Sequence, residues 1–440
     1  MKNNLSLNLN SYRAGYVLFK LTIIFLPSLP LLASLFGLIA LLISSVKTRE
    51  NYLSDKFNYP LIGCSIFMLI SIFVNQFKLP NFELFENIIR LSNWLPLFWC
   101  FWGFQIYLDT SEKRKECMKF LLIGSFPVLI GGFLQYFFQV HGPFTFLGNI
   151  WFQRGICSGK FEEICVTGIT SVFSNPNYYS SWLMMIFPVS LGYSIYLLKE
   201  NNKSRYFYIF YTLSILFAST LTSSRNAYIG IIFTLMFFFY RKRNKITFFA
   251  INSLIASILI IYFFALFTNN GYFLNLIYTL FKANLNDINL INFLSFTRIN
   301  LWIDSISLII KNPLFGSGIF SASSLTLSEV IFTESFKHTH NIILEVSALY
   351  GIVASIFLFS TIYVIYIKSL KNIFSQNKFI KESDSYIIEM TWLISFSALF
   401  LSNMFDLAYY DIKISLPLWI FLSGLRTSIK FPWEDKLTKG

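Results

Sequence analysis

The stretch KHTHNIILEVSALYGIVASIFLFSTIYVIYI, from Lys337 to Ile367, combines an apolar run with a polar entrance. The run from Ile342 to Ile367 is long enough to cross a bilayer, since a helix rises about 1.5 Å per residue and the hydrocarbon is about 30 Å thick. His338 and His340, two of only three histidines in the chain, stand directly before it. The stretch therefore predicts a membrane-spanning helix with titratable side chains at its mouth.

The composition extends this prediction to the whole chain of 440 residues. Hydrophobic residues make up 55% of it and charged residues only 13%, which is not the balance of a soluble protein. We predict an all-α, polytopic helical bundle, a single transmembrane domain over residues 1–440 with about twelve spans. The predicted spans are 14–27, 30–46, 60–77, 91–108, 120–139, 178–198, 206–223, 226–240, 246–267, 342–367, 386–405 and 413–428. Residues 14–46 hinge on LPSLP (Leu26–Pro30) and cross either once or twice.

The distribution of positive charge predicts the orientation of the bundle. The formal net charge is +13, and most of the 35 lysines and arginines fall at the two termini and in alternate loops. Loops rich in Lys and Arg stay in the cytoplasm. We therefore predict a multi-pass protein of the inner (cytoplasmic) membrane with both termini in the cytoplasm. The charge reports this orientation and does not indicate a nucleic-acid partner.

Two long outward loops, 140–177 and 268–341, are the predicted places for a site, because loops on a rigid scaffold carry function. The larger one contains an amphipathic helix near 298–311. Its apolar or small residues recur at helical spacing, and the segment NPLFGSG (312–318) ends it. The recurring residues are Leu301, Trp302, Ser305, Ile306 and Ile309.

Cations gather on the same outward side as the two histidines. Arg225 lies in a tight turn between two predicted spans, Arg298 opens the amphipathic helix, and Arg154 lies in the first long loop. Arginine offers a rigid fork that matches phosphate oxygens, and a helix N-terminus favours anions. These features together suit a diphosphate.

Each residue also has a simpler structural explanation. An arginine at a span boundary anchors the helix at the interface. Asn341 stands where an N-cap is expected, and Glu345 in the first turn complements the helix dipole.

The five cysteines divide into two groups. Cys64, Cys100 and Cys117 lie in or beside predicted spans and are expected to be packing residues. Cys157 and Cys165 share the first outward loop, where they form either a disulfide or two free thiols. Their spacing matches no metal motif.

Read in order, the polar motifs resemble the O-antigen ligase and O-antigen polymerase superfamily. They are NPN before a span (Asn175–Asn177), SR in a tight turn (Ser224–Arg225), R-x-x-x-W (Arg298–Trp302), N-P-L-F-G-x-G (312–318) and H-x-H-N (338–341). The ligase motif at the histidine is matched by His340, Asn341, nine residues and Gly351, and departs at Ala354. The resemblance extends over most of the chain.

The resemblance implies a GT-C-like bundle that transfers a glycan from a polyprenyl-diphosphate-linked oligosaccharide donor to a hydroxyl of a lipid or glycan acceptor. The transfer would occur on the periplasmic face during synthesis of cell-surface polysaccharide such as lipopolysaccharide, without a metal or other cofactor. Ligase and polymerase share the donor and stay open as alternatives.

The resemblance also implies roles for individual residues. Arg225 and Arg298 would bind the diphosphate, and His340 would act at the acceptor hydroxyl. Glu345 would serve as a base or orient an imidazole. Contacts with the acceptor or carrier are expected from His338, Asn341, Asn177 and Arg154.

Two other classes of function compete with glycosyl transfer. One is a small-solute transporter, because the superfamily includes cyanobacterial proteins once proposed to act in bicarbonate accumulation. A transporter favours ionisable residues at mid-membrane and two related halves, whereas this chain shows Lys20 as the plainest such residue and no visible repeat. The other is a structural membrane protein, which leaves the clustering of Arg225, Arg298 and His340 to chance.

Overall fold

The structure is a computed structural model that describes residues 2–48, 51–78, 84–146, 149–153, 155–156, 165–166, 168–241, 297–318, 338–375 and 383–430. It is mostly helical there, which confirms the predicted class. The helices are α1 (Lys2–Phe25), α2 (Pro30–Lys47), α3 (Tyr59–Lys78), α4 (Leu84–Leu91), α5 (Leu95–Gly103), α6 (Ser111–Phe137), α7 (Pro176–Lys199), α8 (Arg205–Leu221), α9 (Arg225–Arg241), α10 (Thr297–Lys311), α11 (Ile342–Tyr350), α12 (Ile352–Phe374), α13 (Asp384–Phe405) and α14 (Ile412–Lys430).

Seven helices in the described residues are long and apolar enough to cross a membrane. They are α2, α3 with the short 3-10 turn before it, α6, α7, α12, α13 and α14. The total of about twelve spans stays a prediction, and the span expected at 246–267 lies outside the described residues. The segment 14–46 folds as two helices, α1 and α2, joined by a turn at 26–29.

Two of the predicted spans are not continuous helices. The span expected at 91–108 is divided into the last residue of α4, a turn at 92–94, α5 and a 3-10 turn at Phe104–Tyr107, with a proline in the first turn of α5. The span expected at 342–367 is divided at Gly351 into α11 and α12. Hydropathy did not predict the break at Gly351, because α11 and α12 are both strongly apolar.

Local sequence signals explain where the helices begin. Asn175 accepts a hydrogen bond from the Tyr178 N–H at 2.9 Å, and Pro176 occupies the first turn of α7. Thr110 and Ser383 cap α6 and α13 in the same manner. Side-chain oxygens at these positions satisfy N–H groups that have no partner inside the helix. The start of α7 at NPN was predicted correctly.

The core is built on α7, α13 and α14, which are mostly buried, while α2 and α3 are largely exposed on one side. At one end of the bundle, buried ion pairs join Arg114 to Glu389 and Arg426 to Asp55. We call this the ion-pair end. The other end, where α7, α9 and α11 begin and α13 ends, is the site end.

The break at Gly351 is filled by the segment 313–318, which follows α10. Ser317 and Gly318 donate backbone hydrogen bonds to the Ala348 and Leu349 carbonyls, and Ile352 N–H donates to the Pro313 carbonyl at 2.8 Å. These bonds satisfy backbone groups that the interruption frees, as buried polar groups require. The NPLFGSG segment and the glycine of the histidine motif are therefore structural partners.

Replacing Gly351 with alanine is expected to destabilise the protein by about 3 kcal/mol. Gly351 has φ +92°, and an added Cβ would overlap the Leu314 carbonyl oxygen. Thermal unfolding in detergent measures the effect. Gly37→Ala is the matched control, because a Cβ there meets side-chain atoms of Thr22, the nearest at 3.1 Å, and no backbone atom. Equal melting temperatures for the two variants would contradict the explanation.

The amphipathic helix expected near 298–311 corresponds to α10 (Thr297–Lys311), while the outward loop at 140–177 stays a prediction. The loop carries an antiparallel pair, β1 (Phe144–Phe146) and β2 (Asn149–Trp151), and a parallel pair, β3 (Gly155–Ile156) and β4 (Cys165–Val166), neither of which the sequence analysis predicted. In α10, Leu301 and Ser305 are buried, whereas Ile306, expected on the same face, is exposed.

The cysteine predictions have different outcomes. Cys64, Cys100 and Cys117 are buried and free, as expected of packing residues. Cys157 and the side chain of Cys165 lie outside what the structure describes, so the disulfide question stays open.

Candidate functional site

The histidine segment is held in place by hydrogen bonds on both sides of His340. Asn341 caps α11, since its side-chain oxygen accepts from the Ile343 and Leu344 N–H groups at 2.9 and 3.1 Å. Its amide nitrogen donates to the Met404 carbonyl, in the last turn of α13, at 3.2 Å. The predicted cap is confirmed, and the same side chain ties the segment to α13.

His340 itself adopts a left-handed backbone conformation, with φ +54°. That conformation is uncommon for residues other than glycine and costs about 1–3 kcal/mol. Neighbouring bonds hold it: the Thr339 N–H donates to Glu345 Oε2 at 3.0 Å, and the Thr339 hydroxyl donates to the Asn341 carbonyl at 2.9 Å. The strain directs the imidazole away from α11 and toward the end of α13.

Asp406, which follows α13 directly, is the partner of His340. The two side chains meet at 3.1 Å between Nδ1 and Oδ1. Asp406 is 3% exposed and His340 is 28% exposed. A buried carboxylate at Nδ1 fixes the tautomer that leaves Nε2 free to accept a proton. The pair therefore has the geometry of an oriented base.

Glu345 is fully buried in the first turn of α11 and faces His338 rather than His340. Its Oε1 accepts from the Tyr410 hydroxyl at 2.9 Å and its Oε2 from the Thr339 N–H. Glu345 lies outside the seven candidate spans. Burial by itself would raise the pKa of Glu345, but nearby His338, Thr339 N–H and the Tyr410 hydroxyl outweigh it and lower that pKa below its usual value. The carboxylate therefore stays ionised at neutral pH.

Arg90, near the end of α4, completes this cluster. Its Nη1 lies 4.0 Å from Glu345 Oε1, and its guanidinium carbon lies 5.5 Å from the centre of the Tyr410 ring. The His338 ring is 5.1 Å from the same ring. The sequence analysis did not identify Arg90, Tyr410 or Asp406 as site residues.

Arg225 is exposed at the start of α9, directly after the tight turn at 222–224 that the sequence predicted. The turn is fixed from two sides. Ser180 of α7 donates to Ser224 at 3.0 Å, and Asn226 donates to Ser402 of α13 at 2.7 Å. Because Asp406 N–H also bonds to the Ser402 carbonyl, at 2.9 Å, Arg225 and His340 both lie at the end of α13.

The structure describes the remaining predicted site residues less completely. Asn177 lies in the first turn of α7, and its carbonyl accepts from the Ser180 and Ser181 hydroxyls. The neighbouring Tyr178 hydroxyl donates to the Leu407 carbonyl at 3.2 Å, so this turn also borders the end of α13. Arg298 is in the first turn of α10, with no description of its side chain, and Arg154 lies outside the described residues.

Part of the chain is similar to a known protein family. The family model described as O-Antigen ligase (Wzy_C) matches residues 207–359, about a third of the chain. The matched segment contains Arg225, Arg298, His338, His340 and Glu345, whereas Arg90 and Asp406 lie outside it. None of the curated proteins matches the chain. The match gives the transporter alternative no support.

Proposed function

We propose that this chain, whose residues 207–359 match the O-antigen ligase family model, transfers a glycan from a polyprenyl diphosphate carrier to an acceptor hydroxyl. The reaction takes place at the site end of the bundle, on the periplasmic face of the inner membrane, in synthesis of a surface polysaccharide. The observation that carries the proposal is the His340–Asp406 pair, which lies at the same helix end as Arg225.

In this mechanism His340 Nε2 takes the proton from the acceptor hydroxyl as that oxygen attacks the anomeric carbon of the donor. Asp406 stabilises the imidazolium that forms. The bond between the anomeric carbon and the carrier oxygen breaks, and polyprenyl diphosphate leaves with its negative charge. Arg225, with Arg298, stabilises this charge, because a fixed guanidinium pays no reorganisation cost during the reaction.

Glu345 acts indirectly, by holding His338 and the Thr339 N–H, and is not the base. Its side chain is 1% exposed, and each of its oxygens already accepts a hydrogen bond. A base must reach the proton it takes, and His340 is the more exposed of the two. Asn341 contributes by capping α11, while Asn177, His338 and Arg154 are assigned to acceptor or carrier contacts.

The test is carrier release by the purified protein in detergent. A polyprenyl-diphosphate-linked oligosaccharide is supplied alone, or with a lipid A core, a glycan or a peptide as acceptor. We expect release of polyprenyl diphosphate that depends on one acceptor class and that persists in EDTA, because metal independence is part of the proposal. Absence of release with all three acceptor classes would contradict the proposed function, and loss of release in EDTA would contradict metal independence.

A further inference from the structure

Arg90 is a partly buried guanidinium whose hydrogen-bonding capacity is unused within the described residues. Its side chain is 23% exposed, and its buried Nη1 has no hydrogen-bond acceptor there. The 4.0 Å separation from Glu345 is too long for a hydrogen bond. Arg114, at the ion-pair end, donates instead to Glu389, the Leu108 carbonyl and Thr427. Because an unpaired buried donor is costly, Arg90 is shaped for a ligand.

His338 presents a second donor beside it. Its Nδ1 is buried without a hydrogen-bond partner in the described part of the chain, 3.7 Å from Glu345 Oε1, and its side chain is 26% exposed. Both groups pack against the Tyr410 ring. The Glu345 side chain is 1% exposed, so the groups of this cluster that are open to a ligand are the exposed parts of Arg90 and His338.

The charges of the cluster define the kind of ligand. Glu345 offsets the positive charge of Arg90 and holds the empty cluster together, yet its oxygens are occupied by Tyr410 and Thr339. What stays available is the exposed part of a guanidinium and of an imidazole, which together match the oxygens of a carboxylate or phosphate.

The cluster and Arg225 approach His340 through different elements. Arg225 reaches the end of α13 from α9 and α7, whereas Arg90 comes from α4 and is joined to His340 through Glu345 and His338. Since the donor diphosphate is assigned to Arg225, the Arg90 cluster is available to the other substrate.

We propose that Arg90 and His338 form a subsite for an anionic group, a carboxylate or phosphate, carried by the acceptor close to its reacting hydroxyl. This assignment to the acceptor rests on the proposed function. The subsite itself, as a place where a sugar carboxylate or phosphate binds, can be measured without any donor.

The experiment measures binding of methyl glucuronide, methyl glucoside and inorganic phosphate to the purified full-length protein by titration calorimetry. We expect methyl glucuronide or phosphate to bind at least about tenfold more tightly than methyl glucoside, as loss of one charged hydrogen bond predicts. Whichever of the two binds more tightly identifies the anion. Arg90→Gln and His338→Gln should each reduce this preference, and Arg90→Lys should retain part of it. Arg205→Gln, at a partly buried arginine of the opposite end that bonds to Asn201, is the matched control and should bind as the wild type does.

The subsite is overturned if the wild type shows no preference for an anion. It is also overturned if a folded Arg90→Gln protein keeps the full preference. Should Arg90→Gln fail to fold, Arg90→Lys and His338→Gln carry the same test. In the transfer assay, the tighter-binding anion should inhibit in competition with the acceptor. Competition with the donor alone would overturn the assignment to the acceptor and leave the function itself intact, so the two failures are distinguishable.

Discussion

His340→Ala is expected to lower acceptor-dependent release of the carrier by about 10²–10⁴-fold, which is the range for loss of a general base. The side chain is 28% exposed and its hydrogen-bond partner in the described part of the chain is Asp406, so its removal opens no core cavity. Protein abundance and thermal stability should therefore stay near those of the wild type. Steady-state release with saturating acceptor measures the effect.

Two further variants make that experiment decisive. His141→Ala removes an exposed histidine of the first long loop and should leave the rate unchanged. Asp406→Asn keeps the size of the partner but removes the charge that stabilises the imidazolium, so we expect a loss smaller than that of His340→Ala. A folded His340→Ala protein with a wild-type rate would show that the base is another residue.

Replacement of Arg225 is expected to have the second large effect on the transfer rate. Arg225→Ala should lower the rate by about 10²–10³-fold, as expected when a preorganised group that stabilises leaving-group charge is lost. Arg225→Lys keeps the charge but loses the fork and should fall between the alanine variant and the wild type. Donor titrations of kcat and kcat/KM measure both.

The position of Arg225 argues against misfolding as the cause of such a loss of rate. Arg225 is exposed, and its turn is held by Ser224 and Asn226. Arg205→Ala is the matched control, an arginine at the start of α8 on the other end of the bundle. Full activity of Arg225→Lys would contradict bidentate binding of the diphosphate.

Features set by neighbouring residues were predictable from the sequence. The cap at Asn341, the start of α7 at NPN, the turn before Arg225 and the bounds of α10 all follow from residue types within a few positions. Local signals of this kind state which backbone groups need partners and which side chains can supply them. They placed His338 and His340 at a helix mouth correctly.

The partners of those histidines were not predictable in the same manner. Asp406 is 66 positions from His340, and Tyr410 is 65 positions from Glu345. Arg90 comes from a helix much earlier in the chain, and no spacing rule connects these positions. Glu345 was predicted as a base or as a residue that orients an imidazole, and its position beside His338 depends on tertiary packing.

The joint at Gly351 links the two segments that carry the ligase motifs. Helix α11, which follows the histidines, has nine residues and is about 13 Å long. His340 lies just before the N-terminus of α11. The C-terminal end of α11 is hydrogen-bonded to the segment that follows α10. Ser71 and Asn75 of α3 donate to the Phe315 carbonyl in that segment and anchor it to the bundle. The position of α11 is therefore tied to both α10 and α3 through the segment 313–318.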